Sequence, residues 1–378
     1  MYHIFNRPHN NTISLNKKKK KKISINDTDN SKEKNKNKRK QNSLQKSNNS
    51  IFDKEIKKNE NNNLQTFEIS DEENEKPKVK NNKENCEKEK EDYNIIKNEK
   101  IKNNPQFLCD YIIDILENFL IEETFYLKKQ YINPDYLYSD NNTELTPEIR
   151  IISINWLIMI NHKVFKFKEN TLFLCIQIID RFLSKKMLNI EKTELLILCA
   201  LILASKHEEM DYVNMTESLQ LSSNKFTKEQ IINMEYEILN ELNFEIIIPN
   251  MNDYYNVYAI IYNLSDIEKN RGLYLLNIVL CDYYLLEYPN FILALAVIKI
   301  IVKKSVKYLI EIIKDLMTKN NEDLYLDFIM DEKEIDKLCD KIKLLYKKFI
   351  STKYKSIQDK FSEEKYNSVS NNSNDLFI

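Results

Sequence analysis

Three motifs stand in fixed order in this chain: Arg150-Ile-Ile-Ser-Ile-Asn-Trp156-Leu157, then Asp180-Arg181-Phe182-Leu183, then Ala204-Ser205-Lys206-His207-Glu208-Glu209. Each lies in apolar sequence of helical spacing. Around the second motif, Leu172, Cys175, Ile176, Ile179, Phe182 and Leu183 recur at i, i+3, i+4, i+7, i+10 and i+11, which predicts an amphipathic helix. The next segment, from about Ile190 to Ser205, is apolar on nearly every side, so other helices must surround it.

Outward from there the helical pattern continues. Thr146-Pro147-Glu148 reads as an N-cap followed by proline in the first turn, and starts the helix that carries Arg150 and Trp156. A short helix is predicted near Met215 to Leu221, and another from Thr227 to Leu242 with Thr227-x-x-Gln230 as a capping box. Upstream, Phe107, Leu108, Tyr111, Ile112, Ile115, Leu116, Phe119 and Leu120 keep a helical period and predict an amphipathic lead-in helix. Pro249 separates this set from five more predicted helices, near Asn252 to Tyr262, Ile267 to Leu286, Pro289 to Ser305, Val306 to Met317 and Lys333 to Thr352. The fold class is all-α.

Composition narrows the function. With 42% apolar and 30% charged residues in 378, the chain reads as one or two soluble domains, and it has no apolar run of the ~20 residues that a membrane-spanning helix needs. The N-terminus lacks the pattern of a signal peptide, so a nuclear and cytoplasmic location is expected. A single glycine, Gly272, leaves no glycine-rich loop to cradle phosphate. The six cysteines form no Cys-x-x-Cys, the four histidines no His-x3-His pair, and no Gly-x-Ser-x-Gly elbow exists. No metal, cofactor or catalytic site is expected, and Cys175, Cys199 and Cys281 read as small buried hydrophobes.

Charge is segregated. Residues 1 to 104 hold 26 Lys and Arg against 17 Asp and Glu, whereas the remainder holds 31 against 41. The first 104 residues, rich in Lys and Asn and without periodicity, are expected to form a disordered tail. The runs Lys17 to Lys22 and Lys36 to Lys40 match either nuclear-import signals or solvated low-complexity sequence. Residues 353 to 378, rich in Ser and Asn, are expected to be a flexible polar tail.

Across roughly residues 107 to 350, the three motifs in this order resemble the cyclin box of mitotic (A/B-type) cyclins. Thr227-Lys-Glu-Gln-Ile-Ile-Asn-Met234-Glu235 and Leu242-Asn-Phe244-Glu-Ile246 resemble the fifth helix of the first box and its exit. Leu275 to Pro289 resembles part of the second box. The resemblance implies two tandem five-helix boxes, over residues 105 to 248 with the lead-in helix and residues 249 to 352. It also implies a regulatory subunit that binds and activates a cyclin-dependent serine/threonine kinase.

The resemblance implies roles residue by residue. Arg150 and Asp180 match a buried ion pair between the first two helices, although Arg150 alone could be an exposed helix arginine. Lys206 and Glu235 match the pair that grips the regulatory helix of the kinase, with Leu203, His207, Leu239, Phe244 and Ile246 around them. By chemistry alone, a lysine at a helix end also satisfies its own helix's last carbonyls, and Leu203 and Leu239 fit a plain core. His207 stands where an aromatic is usual. Ile149, Ile152, Ser153, Trp156 and Glu194 match a docking patch for Arg-x-Leu substrates, with Ile for Met, Ser for Leu and Glu for Gln. Trp156 fits a core equally well. The loop after Glu209 lacks the family's Pro-Pro turn. Lys83-Glu84-Asn85 spells the KEN signal read by a ubiquitin ligase.

Two other readings of the same helices remain. A cyclin-fold transcription factor resembling transcription factor IIB would need a basic helical body and usually a zinc ribbon, and the body here is acidic with no Cys-x-x-Cys. A helical scaffold without kinase binding would keep the fold alone. Direct nucleic-acid or membrane contact is not expected.

Overall fold

The computed structural model describes residues 111–129, 131–137, 146–320, 332–352 and 354–371. Twelve α-helices and no strand occur among them: α1 Ile112–Lys128, α2 Pro147–Met159, α3 Glu169–Lys185, α4 Ile190–Glu208, α5 Met215–Leu221, α6 Lys228–Glu241, α7 Met251–Ile261, α8 Asp266–Cys281, α9 Asn290–Val302, α10 Lys307–Lys319, α11 Glu332–Ile350 and α12 Ser356–Phe361.

Local chemistry sets the helix starts. Thr146 caps α2 by accepting from the Ile149 backbone N–H, with Pro147 in the first turn. Capping boxes begin α5 (Asn214 and Glu217), α6 (Thr227 and Gln230), α7 (Asn250 and Asp253) and α8 (Ser265 and Glu268).

In the first five-helix set, α2 to α6, the central helix is α4, buried continuously from Thr193 to Ser205 and packed against α3 and α6. In the second set, α7 to α11, α9 takes that place, buried from Phe291 to Ile298 and packed against α7, α8 and α11. Nearly all-apolar helices are stable only when enclosed, so these two organise the core. The lead-in helix α1 lies on α7 and α10. Its fully buried Glu123 closes the N-terminus of α9, accepting from the backbone N–H of Asn290 at 2.7 Å and of Phe291 at 3.4 Å.

Several expectations need correction. The helix predicted to reach Leu286 ends at Cys281, because the Asp282 carboxylate caps a following 3-10 turn, accepting from Leu285 N–H. Before α2, a 3-10 turn, Pro134–Leu137, buries Tyr136 and Leu137. Residues 354–371 are not a flexible tail: α12 and the 3-10 turn Glu364–Tyr366 bury Ile357, Phe361, Tyr366 and Val369 against α2 and α8. Four apolar side chains spaced through a polar segment help to hold it. The single glycine has a steric reason, since a Cβ at Gly272 would stand 2.0 Å from the Tyr255 hydroxyl oxygen. Residues 1 to 110, including Cys86, Cys109, the lysine runs and Lys83-Glu84-Asn85, lie outside the described residues.

Candidate functional site

Two ion pairs dominate the first box, and their settings differ. Arg150 of α2 meets Asp180 of α3 through two parallel bonds, Nε to Oδ1 at 2.9 Å and Nη2 to Oδ2 at 2.8 Å. Both side chains are almost fully buried, and two further groups complete the site: Tyr136 donates its hydroxyl to Asp180 Oδ1 at 2.7 Å, and Arg150 Nη1 donates to the Leu280 carbonyl at 2.8 Å. Burial opposes the guanidinium charge, yet the charge and hydrogen bonds of Asp180 outweigh it and hold the Arg150 proton more tightly than usual. Burial, then Asp180, push the Tyr136 hydroxyl well above its ordinary range. The pair therefore ties α2, α3, the turn before α2 and the last turn of α8. It is architecture.

The second pair is at the surface. Lys206, in the last turn of α4, reaches Glu235 of α6, Nζ to Oε1 at 2.5 Å, with the lysine side chain 42% exposed and the glutamate 13%. Leu203 is buried below it, whereas Leu239 and Ile246 are half-buried. Phe244 is 62% exposed and holds φ at +61°, following Asn243 at +52°. Left-handed backbone in a non-glycine residue costs roughly 1–2 kcal/mol, and here it aims an aromatic ring at solvent. His207 is exposed, its Nε2 3.5 Å from Glu208 Oε1.

Further exposed apolar residues lie on α6 and in the segments after α4 and α6. On α6, Ile232, Tyr236 and Leu239 form a stripe with Glu235, beside the core stripe Ile231, Met234 and Ile238. Ile232 and Tyr236 are 54% and 65% exposed, and Met210 in the loop after α4 is 97% exposed. Tyr212 and Ile247 are half-exposed. Arg181 of α3 secures the segment that carries Phe244, donating to the carbonyls of Glu245 at 2.5 Å and Ile246 at 3.1 Å. Exposed apolar side chains therefore flank the charged pair on α6 and in the segments after α4 and α6.

Residues 114–247 match the cyclin N-terminal domain and residues 249–375 the cyclin C-terminal domain. The chain belongs to the cyclin family. It is 33% identical over 186 residues to the G2/mitotic-specific cyclin-B2 of Homo sapiens, which covers 49% of this chain and 44% of that protein. It is 26% identical over 270 residues to the G2/mitotic-specific cyclin-B of Patella vulgata, covering 71% and 62%. With the G2/mitotic-specific cyclin cdc13 of Schizosaccharomyces pombe the identity is 32% over 197 residues, covering 49% and 37%. This cyclin thus spans about half the length of the curated relatives it matches. A viral cyclin from herpesvirus saimiri superposes on 61% of the chain at 16% identity with a TM-score of 0.47.

The five residues matching the cyclin substrate-docking patch are not all at the surface. Ile149 and Ile152 are half-buried, whereas Ser153, Trp156 and Glu194 are buried. Ser153 donates its hydroxyl to the Ile149 carbonyl at 2.8 Å, and Glu194 is engaged by Lys225 at 2.5 Å. Ile149 lines a narrow crevice that runs past Ser153, Thr193 and Ile197.

Sequence reasoning missed Tyr136, the Leu280 carbonyl, Arg181 and the exposed residues Met210, Ile232 and Tyr236 as parts of these two sites. Ile232 and Tyr236 were legible in principle, since with Glu235 and Leu239 they repeat at helical spacing one residue out of step with the core stripe. The backbone carbonyls carry no sequence signal. Among the described residues no group of His, Cys, Asp and Glu could hold a metal ion, and no helix is long and apolar enough to cross a membrane.

Proposed function

We propose that this cyclin is the non-catalytic regulatory subunit of a cyclin-dependent serine/threonine kinase and activates that kinase in cell division. The observation that carries the reading is the exposed apolar face of α6, Phe244 and Met210 around the Lys206–Glu235 pair. Lys206 supplies up to three donors and Glu235 acceptors to the backbone of a docked helix, while Leu239, Phe244 and Ile246 supply apolar area. Binding that favours the active kinase conformation shifts the equilibrium by the difference in affinity between the two conformations. In kinases the shift brings the glutamate of the regulatory helix to the lysine of the ATP site.

Finer parts of the reading rest on the sequence. Residues Lys83-Glu84-Asn85 would recruit a ubiquitin ligase, Ile149 and Ile152 would give weak substrate docking, and the protein would work in both nucleus and cytoplasm. Affinity purification followed by mass spectrometry and a phosphorylation assay tests the core claim. Recovery of a cyclin-dependent kinase whose activity depends on this chain supports it, and a folded bait that recovers none overturns it.

A further inference from the structure

The first turn of α3 is a junction that the docking face does not include. Three consecutive residues, Glu169, Asn170 and Thr171, each hold a different part of the molecule. Glu169 accepts from Lys360 Nζ of α12 at 2.7 Å and from the Tyr366 hydroxyl at 3.2 Å. Asn170 donates to Asp253 Oδ1 at 3.1 Å and accepts from Asn252 Nδ2, both at the start of α7. The Thr171 hydroxyl and the Lys168 backbone N–H both donate to Glu209 Oε1, at 2.5 and 2.7 Å. Glu209 is the C-cap residue that follows α4, three positions after Lys206.

Lys360 is the unusual member. It is 1% exposed, and its ammonium also donates to Asn277 Oδ1 of α8 at 3.3 Å. A buried ammonium is held only by satisfied partners, so removing one strands a charge. Glu169 and Asn277 are those partners. The ammonium thereby links α12, α8 and the first residue of α3, and the same first turn of α3 grips the end of α4.

We infer that Lys360 is a positioning residue for the kinase-docking end of α4, acting from the C-terminal segment 354–371 through Glu169 and the α3 first turn onto Glu209. The docking half of this inference rests on the proposed kinase function, and the positioning half does not. Charge alone does not explain the arrangement, because a solvent-exposed lysine would balance Glu169 without desolvation. Burial fixes the ammonium to one place, and that place sets the start of α3.

The experiment is amide hydrogen exchange on the full chain, comparing wild type with Lys360→Met, followed by kinase binding. Exchange is expected to accelerate about tenfold at residues 168–171 and 205–213 while the core of α4 and α9 is unchanged. The double variant Lys360→Met/Glu169→Gln, which removes both charges, is expected to restore slow exchange at residues 205–213. Should Lys360→Met fail to fold, Tyr366→Phe removes only the hydroxyl bond to Glu169 and is expected to shift the same segments in the same direction by a smaller factor. An exchange change confined to residues 354–371, or spread evenly over the molecule, overturns the inference.

In the second arm, affinity for a purified cyclin-dependent kinase that binds the wild-type chain should fall about tenfold in Lys360→Met and recover in the double variant. Unchanged affinity alongside altered exchange overturns the docking half. If the wild type binds no such kinase, the proposed function fails and the exchange result still decides the positioning half.

Discussion

The pairs Arg150–Asp180 and Lys206–Glu235 use the same chemistry, a cation against a carboxylate, and do opposite work. In the first, two parallel hydrogen bonds, the Tyr136 hydroxyl and the Leu280 carbonyl engage all three guanidinium nitrogens and both carboxylate oxygens inside the core. In the second, one contact bridges two helix surfaces and leaves the lysine side chain 42% exposed, with capacity for more partners. A buried pair defines geometry because neither partner can be lost, whereas an exposed pair contributes little to stability and remains available for exchange with a ligand.

The comparison breaks most visibly if Asp180 is removed. Asp180→Ala strands the Arg150 guanidinium, and urea unfolding should show a loss of about 3–5 kcal/mol. A loss under 1 kcal/mol would mean that the site is not the keystone described here.

Two carboxyl groups with raised pKa values add a pH dependence. Burial raises Glu123 to about 7 against the opposing hydrogen bonds from Asn290, Tyr254 and Phe291. Burial, with repulsion from Glu208 and Glu122, raises Asp253 to about 6. A carboxyl group raised in the folded state favours stability below its ordinary pKa, and that contribution is lost as pH rises through the folded value. Stability is expected to fall between about pH 4.5 and 7, by roughly 3 kcal/mol from Glu123 at most. In urea titrations across that window, Glu123→Gln should flatten the slope in part and leave the share due to Asp253.

Smaller effects are expected at α6 and its exposed ion pair. Thr227→Ala removes the cap of α6 and should cost about 1 kcal/mol, measurable as a lowered denaturation midpoint. Lys206→Ala with Glu235→Ala should cost no more than about 1 kcal/mol, because the exposed pair gains little net free energy. A larger loss would place this pair with the architectural one.

Much of the first box was legible because its signals are local and periodic. The caps at Thr146 and Thr227 and the all-round apolar run of α4 can be read within a dozen residues. Arg150 and Asp180 could be paired only through resemblance to a family, and nothing in the sequence marked Tyr136 or a backbone carbonyl as the groups that complete them. Residues 354–371 were misread for a related reason. Their polarity suggested fraying, and the buried Lys360 is satisfied by Glu169 and Asn277, far away in sequence. Long-range polar contacts have no period. The docking patch shows the converse limit, since matching positions placed Trp156 and Glu194 there and packing buried both.

The most direct test of the central claim is recovery of a cyclin-dependent kinase by the full chain, with wild type and the Lys206→Ala/Glu235→Ala double variant side by side. The wild type is expected to recover an active kinase, and the double variant, still folded by thermal melt, at least tenfold less. Equal recovery by both proteins would contradict it.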